Sequence, residues 1–290
     1  MNISLEQATK EFFKKYNIRA SKKLGQNFLI DRNILAQIIQ ASELTKYDVV
    51  LEIGPGIGTL TEELAKVVSK VVAIEKDKKL AKILKKKMLQ YQNVEIIEDD
   101  IILWPTSPAL SSSHHLSPAL SSREDGRDAP YKIVANLPYN IALPIIRKFV
   151  EHKNPPKEMI LMLQKEVAQK ICAEKSSIPK IAIELYAKSE ILFFVPKESF
   201  FPIPKVDGAV IKISNIQKNV PKVDKNLFFK ILKAGFAHPR KTILNNLSKK
   251  LDIEKQEVKK WLEKCDISSQ YRPENLNLKD WLTLTYNFSL

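Results

Sequence analysis

"DVVLEIGPGIG", Asp48 to Gly58, decides the fold. Its first half is an almost unbroken apolar run of strand length, the pattern of a strand buried on both faces in a parallel sheet. The run ends in Gly54, Gly56 and Gly58, and "TLTEELAKVVSK" then takes up a helical pattern. Glycine lets a backbone turn tightly and approach a ligand with no Cβ in the way. Working outward, "VVAIEKD" reads as a second strand, "VEIIEDD" as a third, "YKIVANLPY" as a fourth and "EMILMLQ" as a fifth. Between them stand helical stretches: "KKLAKILKKKMLQ" with a heavily basic face, "PIIRKFVEH" and "KEVAQKICAE". Strands alternating with helices give a parallel sheet covered on both faces, a doubly wound (Rossmann-like) α/β fold. "SEILFFVP" and "GAVIKIS" read as a closing antiparallel pair. Upstream, "DRNILAQIIQASEL" opens with a capping Asp31 and repeats Ile34, Leu35, Ile38 and Ile39 at helical spacing.

After about Gln217 the pattern becomes helical, with "KNLFFKILKAGFA", "KTILNNLSKKL", "KQEVKKWLEKC" and "LKDWLTLTY". Two domains are therefore expected, an α/β domain over 1–216 and a small all-helical domain over 217–290. Pro105 to Pro130 breaks the rhythm. It repeats "SPALSS" and can bury no apolar face, so it reads as a mobile low-complexity insertion, 105–130. His114 and His115 inside it have no partner at ligand spacing, and Cys172 and Cys265 follow no metal-ligand pattern, so no metal is expected. The N-terminus lacks a signal peptide's apolar block, and no run reaches membrane-spanning length. A cytoplasmic, monomeric protein with no membrane partner is expected.

Charge adds a partner. The 290 residues carry 47 basic and 33 acidic side chains, a net +14. From Lys205 onward 17 basic residues face nine acidic ones, so +8 of that excess sits in the last 86 residues. Such a field attracts polyanions, of which nucleic acid is the commonest in a cell.

The glycine turn suggests the ligand. Glu75 ends the second strand, 17 residues after Gly58, where a carboxylate can accept hydrogen bonds from both hydroxyls of a ribose. The dinucleotide fingerprint is G-x-G-x-x-G, but the spacing here is G-x-G-x-G after an acidic Glu52. That spacing looks like the S-adenosylmethionine loop of doubly wound methyltransferases. Asp100, at the end of the third strand, suits an adenine amino group, since a carboxylate accepts from an exocyclic N–H. Asp99 is the neighbouring candidate.

The fourth strand ends in "VANLPYNI", Val134 to Ile141, at the sheet edge where such folds bind ligands. There Asn136 offers a side-chain oxygen to an amine, Pro138 stiffens the turn, and Tyr139 offers a flat face to a base. This set suits methyl transfer to the N6 of adenine. The N6 lone pair is delocalised into the ring, and acceptors holding its hydrogens turn it outward toward a sulfonium methyl. They also stabilise the positive charge that arrives there. Much of the acceleration comes from positioning.

Together "LGQNFLID", "LEIGPGIGTLT", "EKD", "NLPYNI", "QKEVA", "FFPIPKVDGAV" and "PRKTILNNL" resemble the small-subunit ribosomal RNA adenine N6,N6-dimethyltransferase family, from about Ser21 to the C-terminus. The resemblance implies a Rossmann-like methyltransferase sheet followed by a helical RNA-binding domain. It implies S-adenosylmethionine contacts at Asn27, Leu29, Gly54, Glu75, Asp100 and Asn136. It also implies a target-adenine pocket at Asn136, Leu137, Pro138 and Tyr139. The expected reaction puts two methyls on each of two adjacent adenosines near the 3′ end of small-subunit rRNA, within the assembling subunit. Phe200 and Phe201 are candidates for the other wall of the adenine pocket, with Phe201 taken as the stacking ring. Arg240 and Lys241, read as opening a helix, are expected to meet RNA phosphates. Two stretches depart from the family pattern: "KSSIPKIAIELYA" after the "QKEVA" helix, and "FAHPRKTI" around His238 and Pro239.

Overall fold

A computed structural model describes residues 3–21, 24–104, 130–138 and 141–288. Apart from Pro130, the low-complexity insertion lies outside the described residues. Two compact units form, 1–168 with 188–216, and 169–187 with 217–290.

The first unit is built on a seven-stranded sheet. Its strands are β2 (Val49–Ile53), β3 (Lys70–Glu75), β4 (Val94–Glu98), β5 (Lys132–Asn136), β6 (Met159–Gln164), β7 (Lys188–Val195) and β9 (Gly208–Ser214), in the order β4-β3-β2-β5-β6-β9-β7. β4 to β6 along this order run parallel; β9 pairs antiparallel with both β6 and β7. The closing antiparallel pair is thus present, with the later strand on the inside. β2, β5 and β6 are apolar on both faces because helices cover both, and Val50, Ile133, Val134 and Leu161 are almost wholly buried. Each such side chain contributes about 1.5–3 kcal/mol relative to exposure. Strand order reverses between β2 and β5, and such a switch point opens a crevice at the carboxyl ends of the strands.

The helices follow their sequence signals. α1 (Leu5–Tyr16) is capped by Ser4, α2 (Arg32–Ala41) by Asp31 and α4 (Lys78–Lys87) by Asp77, each side chain accepting backbone N–H groups left free at a helix start. α3 (Thr59–Ala65) is shorter than its pattern suggested. α5 (Ala142–Val150) follows β5. A two-stranded piece with no sequence signal, β1 (Phe28–Leu29) against β8 (Phe200–Phe201), pairs Phe28 with Phe201 and Leu29 with Phe200.

α6 (Lys165–Cys172) runs from the first unit into the second, which also holds α7 (Ile178–Glu184), α8 (Lys225–Gly235), α9 (Ile243–Leu251), α10 (Lys255–Lys264) and α11 (Leu278–Tyr286). Residues 169–187 therefore group with the helical region rather than with the α/β part that contains them in sequence. Trp281, fully buried, anchors this unit and stacks on Phe236 with ring centroids 5.4 Å apart.

Candidate active site

β2 delivers the chain into the glycine turn. Gly56 has φ +60°, and a Cβ there would come within 2.8 Å of the Phe28 ring, so only glycine fits. Its N–H donates to Glu75 Oε2 at 3.0 Å, while Asp77 N–H donates to Oε1 at 2.8 Å. Glu75 is 6 % exposed. Burial pushes its carboxyl above the usual range, and the two N–H groups only partly offset this. Below the turn, Glu52 is 2 % exposed and its Oε2 has no hydrogen-bond partner. Burial pushes Glu52 up to about 8, partly offset by the neighbouring Thr61 hydroxyl and helped by the Glu75 charge.

Asp100 follows β4. Burial alone would raise its pKa, but the Lys76 ammonium 2.6 Å from Oδ2 and the Ile102 N–H 3.0 Å from Oδ1 hold it below the usual carboxylate value. The turn carrying it is fastened from α5. Lys148 Nζ donates to the carbonyls of Ile101, Ile102 and Trp104 at 2.7, 2.8 and 2.5 Å. Burial depresses the Lys148 pKa despite the neighbouring Asp100 and Asp99.

The other wall is the arm before α2. Gln26 ties it down twice, accepting from Ser21 N–H at 2.8 Å and donating to Asp77 Oδ2 at 3.1 Å. The β1–β8 pairing fixes its far end. From this arm the Asn27 carbonyl accepts a hydrogen bond from Asn136 Nδ2 at 3.1 Å. A carbonyl partner admits only the NH2 end of the amide. Asn136 Oδ1 is therefore turned the other way, and among the described residues it has no partner. The Leu137 N–H is spent on Met162 O at 2.9 Å, and Pro138 has no N–H. The end of β5 is left presenting acceptors, as an incoming amine requires.

One cleft is lined by Asn27, Leu29, Gly54, Glu75, Asp100, Asn136, Leu137 and Pro138, which brings together every expected cofactor residue and three of the four expected at the target base. The fourth, Tyr139, lies outside the described residues. Phe201 is not among the lining residues. Its ring sits edge-on to Phe13 of α1, 5.5 Å between centroids, with Lys10 Nζ 5.7 Å above it. Phe200 is core, with no exposed surface. Arg240 and Lys241 do not open a helix. They are exposed in a turn before α9, which begins at Ile243 with Thr242 as its cap. Buried Asn246 holds that turn, accepting from His238 N–H at 3.1 Å and donating to His238 O at 3.0 Å. Lys76, Lys148 and Asn246 had no sequence signal as site-shaping residues. Among the described residues no group of histidine, cysteine and acidic side chains is placed to hold a metal ion.

The donor set fits an adenosyl group: Glu75 for ribose hydroxyls, Asp100 for an exocyclic amine, and the orphaned Glu52 oxygen beneath the glycine turn. A doubly wound sheet with such a cleft at its switch point defines an S-adenosylmethionine-dependent methyltransferase of the Rossmann-like class. The solved structure of the 23S rRNA methyltransferase ErmE shares the fold, with TM-score 0.66 at 23% identity, covering 91% of this chain and 100% of that one. So does a dimethyladenosine transferase from Plasmodium falciparum, with TM-score 0.67 at 28% identity over 90% of this chain and 97% of that one. The sequence profile of the ribosomal RNA adenine dimethylase family matches residues 17–288, and the chain belongs to that family. Proteins called ribosomal RNA small subunit methyltransferase A are 40% identical in Alkaliphilus metalliredigens, over 96% of this chain and 94% of that protein, and 40% identical in Listeria innocua, over 98% and 96%.

Proposed function

We propose that the protein transfers methyl groups from S-adenosylmethionine to the N6 atoms of two adjacent adenosines near the 3′ end of small-subunit rRNA. It would act in the cytoplasm as a monomer, within the assembling subunit. The observation that carries this reading is the locked Asn136 amide, whose free oxygen points away from Asn27 at the edge of a cleft built for an adenosyl group. Bound cofactor supplies an electrophilic sulfonium methyl. Asn136 Oδ1 accepts a hydrogen bond from the N6 amino group, which directs the nitrogen lone pair toward that methyl and stabilises the positive charge as it moves from sulfur to nitrogen. The methylated nitrogen is acidic enough to release its proton to water. Tyr139 is proposed to stack on the target base. Arg240 and Lys241, exposed on the stapled turn of the helical unit, are proposed to meet RNA phosphates.

The test is to incubate the protein with methyl-labelled cofactor and unmethylated small ribosomal subunits, then locate the label. N6,N6-dimethyladenosine at a neighbouring pair in the small-subunit RNA is the expected product. Label on other nucleotides of that RNA, or no transfer, overturns the reading.

A further inference from the structure

α4 carries six lysines in its ten residues. Its composition works against the helix that holds it. Lys78 and Lys79 occupy the first turn, where the helix dipole is positive and only the capping Asp77 carboxylate offsets it. Lys82 faces like charges at Lys78 and Lys86, four residues away on either side, and at Lys79 and Lys85, three away. Each such pair costs about 0.2–0.5 kcal/mol. Other exposed helices relieve this strain with opposite charges at the same spacing: Lys10 with Glu6 on α1, Arg147 with Glu151 on α5, Lys259 with Glu263 on α10. On α4 only the flanks are satisfied. Lys87 pairs with Glu62 at 3.0 Å, and Lys79 Nζ donates to the Asn17 carbonyl at 2.6 Å. Lys78, Lys82, Lys85 and Lys86 are exposed, and among the described residues they have no carboxylate partner.

The position of this helix matters as much as its charge. Asp77, its cap, receives Gln26 from the arm that walls the cleft, and its N–H is held by Glu75. α4 therefore starts at the rim of the cleft, and at its other end Lys87 Nζ donates to the carbonyl of Ile57, a cleft-lining residue, at 2.9 Å. At its start it meets the last turn of α1, where Lys14 and Lys15 are also exposed. The result is a basic strip alongside the adenosyl site.

We infer that the exposed face of α4 is a docking strip for the phosphate backbone of the RNA beyond the target adenosine. It would be a second contact surface, in the α/β unit itself. The inference rests on the proposed methyl transfer to RNA, and it adds where the chain flanking the target lies. An RNA backbone is the occupant that neutralises four uncompensated lysines in a row without having to be apolar, and phosphate contacts of this kind position a nucleic acid without reading its sequence.

The test uses the full-length protein with unmethylated small ribosomal subunits. One variant is K78Q/K82Q/K85Q/K86Q. A charge-matched control, K46Q/K153Q/K157Q/K188Q, removes four exposed lysines from the opposite edge of the sheet. Affinity is measured across a potassium chloride series at fixed magnesium, alongside S-adenosylhomocysteine binding and thermal melting. The α4 variant is expected to bind subunits about tenfold more weakly, and the slope of log affinity against log salt should shrink by about 3, at roughly 0.7–0.9 per lost phosphate contact. Its S-adenosylhomocysteine affinity should be unchanged and its melting temperature no lower, because like-charge repulsion has been relieved. Equal losses in variant and control assign the effect to bulk charge and overturn the inference. So does an α4 variant with the wild-type slope. If the underlying reading is wrong the failure appears elsewhere, as absent methyl transfer by the wild-type protein.

Discussion

At the amino ends of β2, β5 and β6, Lys132 Nζ lies 2.9 Å from Glu158 Oε1 and 3.6 Å from Asp48 Oδ2, and it donates to the carbonyls of Ser42 and Glu43. Lys212 closes the group, 3.3 Å from the other oxygen of Glu158 and 3.4 Å from Glu43. At the carboxyl ends of the same strands, Glu52 keeps a buried oxygen with no partner, and the Asn136 oxygen has none among the described residues. One edge of the sheet completes its polar contacts internally; the other leaves them open. A fold tolerates open groups where something else supplies the partner, so the contrast separates the end that holds the sheet together from the end proposed to do chemistry.

Breaking the open end should show the largest effect. Asn136→Ala removes the acceptor for N6 and should lower kcat for methyl transfer by about a thousandfold. The urea midpoint should move little, because only the bond to Asn27 is lost from the fold. A variant retaining half the wild-type kcat would show that the oxygen has no role in transfer. Breaking the closed end should do the reverse. Lys132→Met leaves Glu158 to Lys212 and Asp48 to Thr45, but it removes the donor to the Ser42 and Glu43 carbonyls and the closest cation of the group, and should cost about 1–3 kcal/mol in urea unfolding. The kcat at room temperature should stay within a factor of two, which a subunit methylation assay would check.

The difference between the two ends also explains what could be read in advance. The glycine turn, the succession of strands and helices, and Glu75 at a strand end are written locally, in runs of apolar residues and in spacing, and the structure shows them where the sequence implies. The direction in which Asn136 faces is not local. It depends on the Asn27 carbonyl, 109 residues earlier. The fastening of the Asp100 turn by Lys148 likewise spans 44 to 47 residues, and no periodicity foretells it. Phe201 shows the converse. Its motif suggested a stacking surface, but α1, whose docking partners no local pattern reveals, engages the ring. Arg240 and Lys241 were placed on a helix because apolar spacing cannot say where a helix starts. Thr242 and the buried Asn246 decide that.

Glu52 gives the smallest effect and the sharpest test of the open end. Its carboxyl is normal in the unfolded chain and raised to about 8 in the folded one. The folded state therefore keeps a proton that the unfolded state gives up. The sign follows directly: this contribution is fully present below the unfolded pKa and is lost as pH rises, until it levels off near the folded pKa. Through the middle of that window stability should fall by roughly 1.4 kcal/mol per pH unit, or about 2 kcal/mol between about pH 6 and about pH 7.5. Glu75, also raised by burial, adds a slope of the same sign. Glu52→Gln keeps the shape and removes the titration. Its urea-derived stability should decline less over that interval and exceed the wild type's above about pH 8. The two ends then differ in a measurable way. The Lys132 cluster is built from charges that attract one another, so Lys132→Met should shift the whole stability curve down without removing this slope. Parallel curves for Glu52→Gln and wild type would mean that the carboxyl beneath the glycine turn is already ionised and has found a partner there.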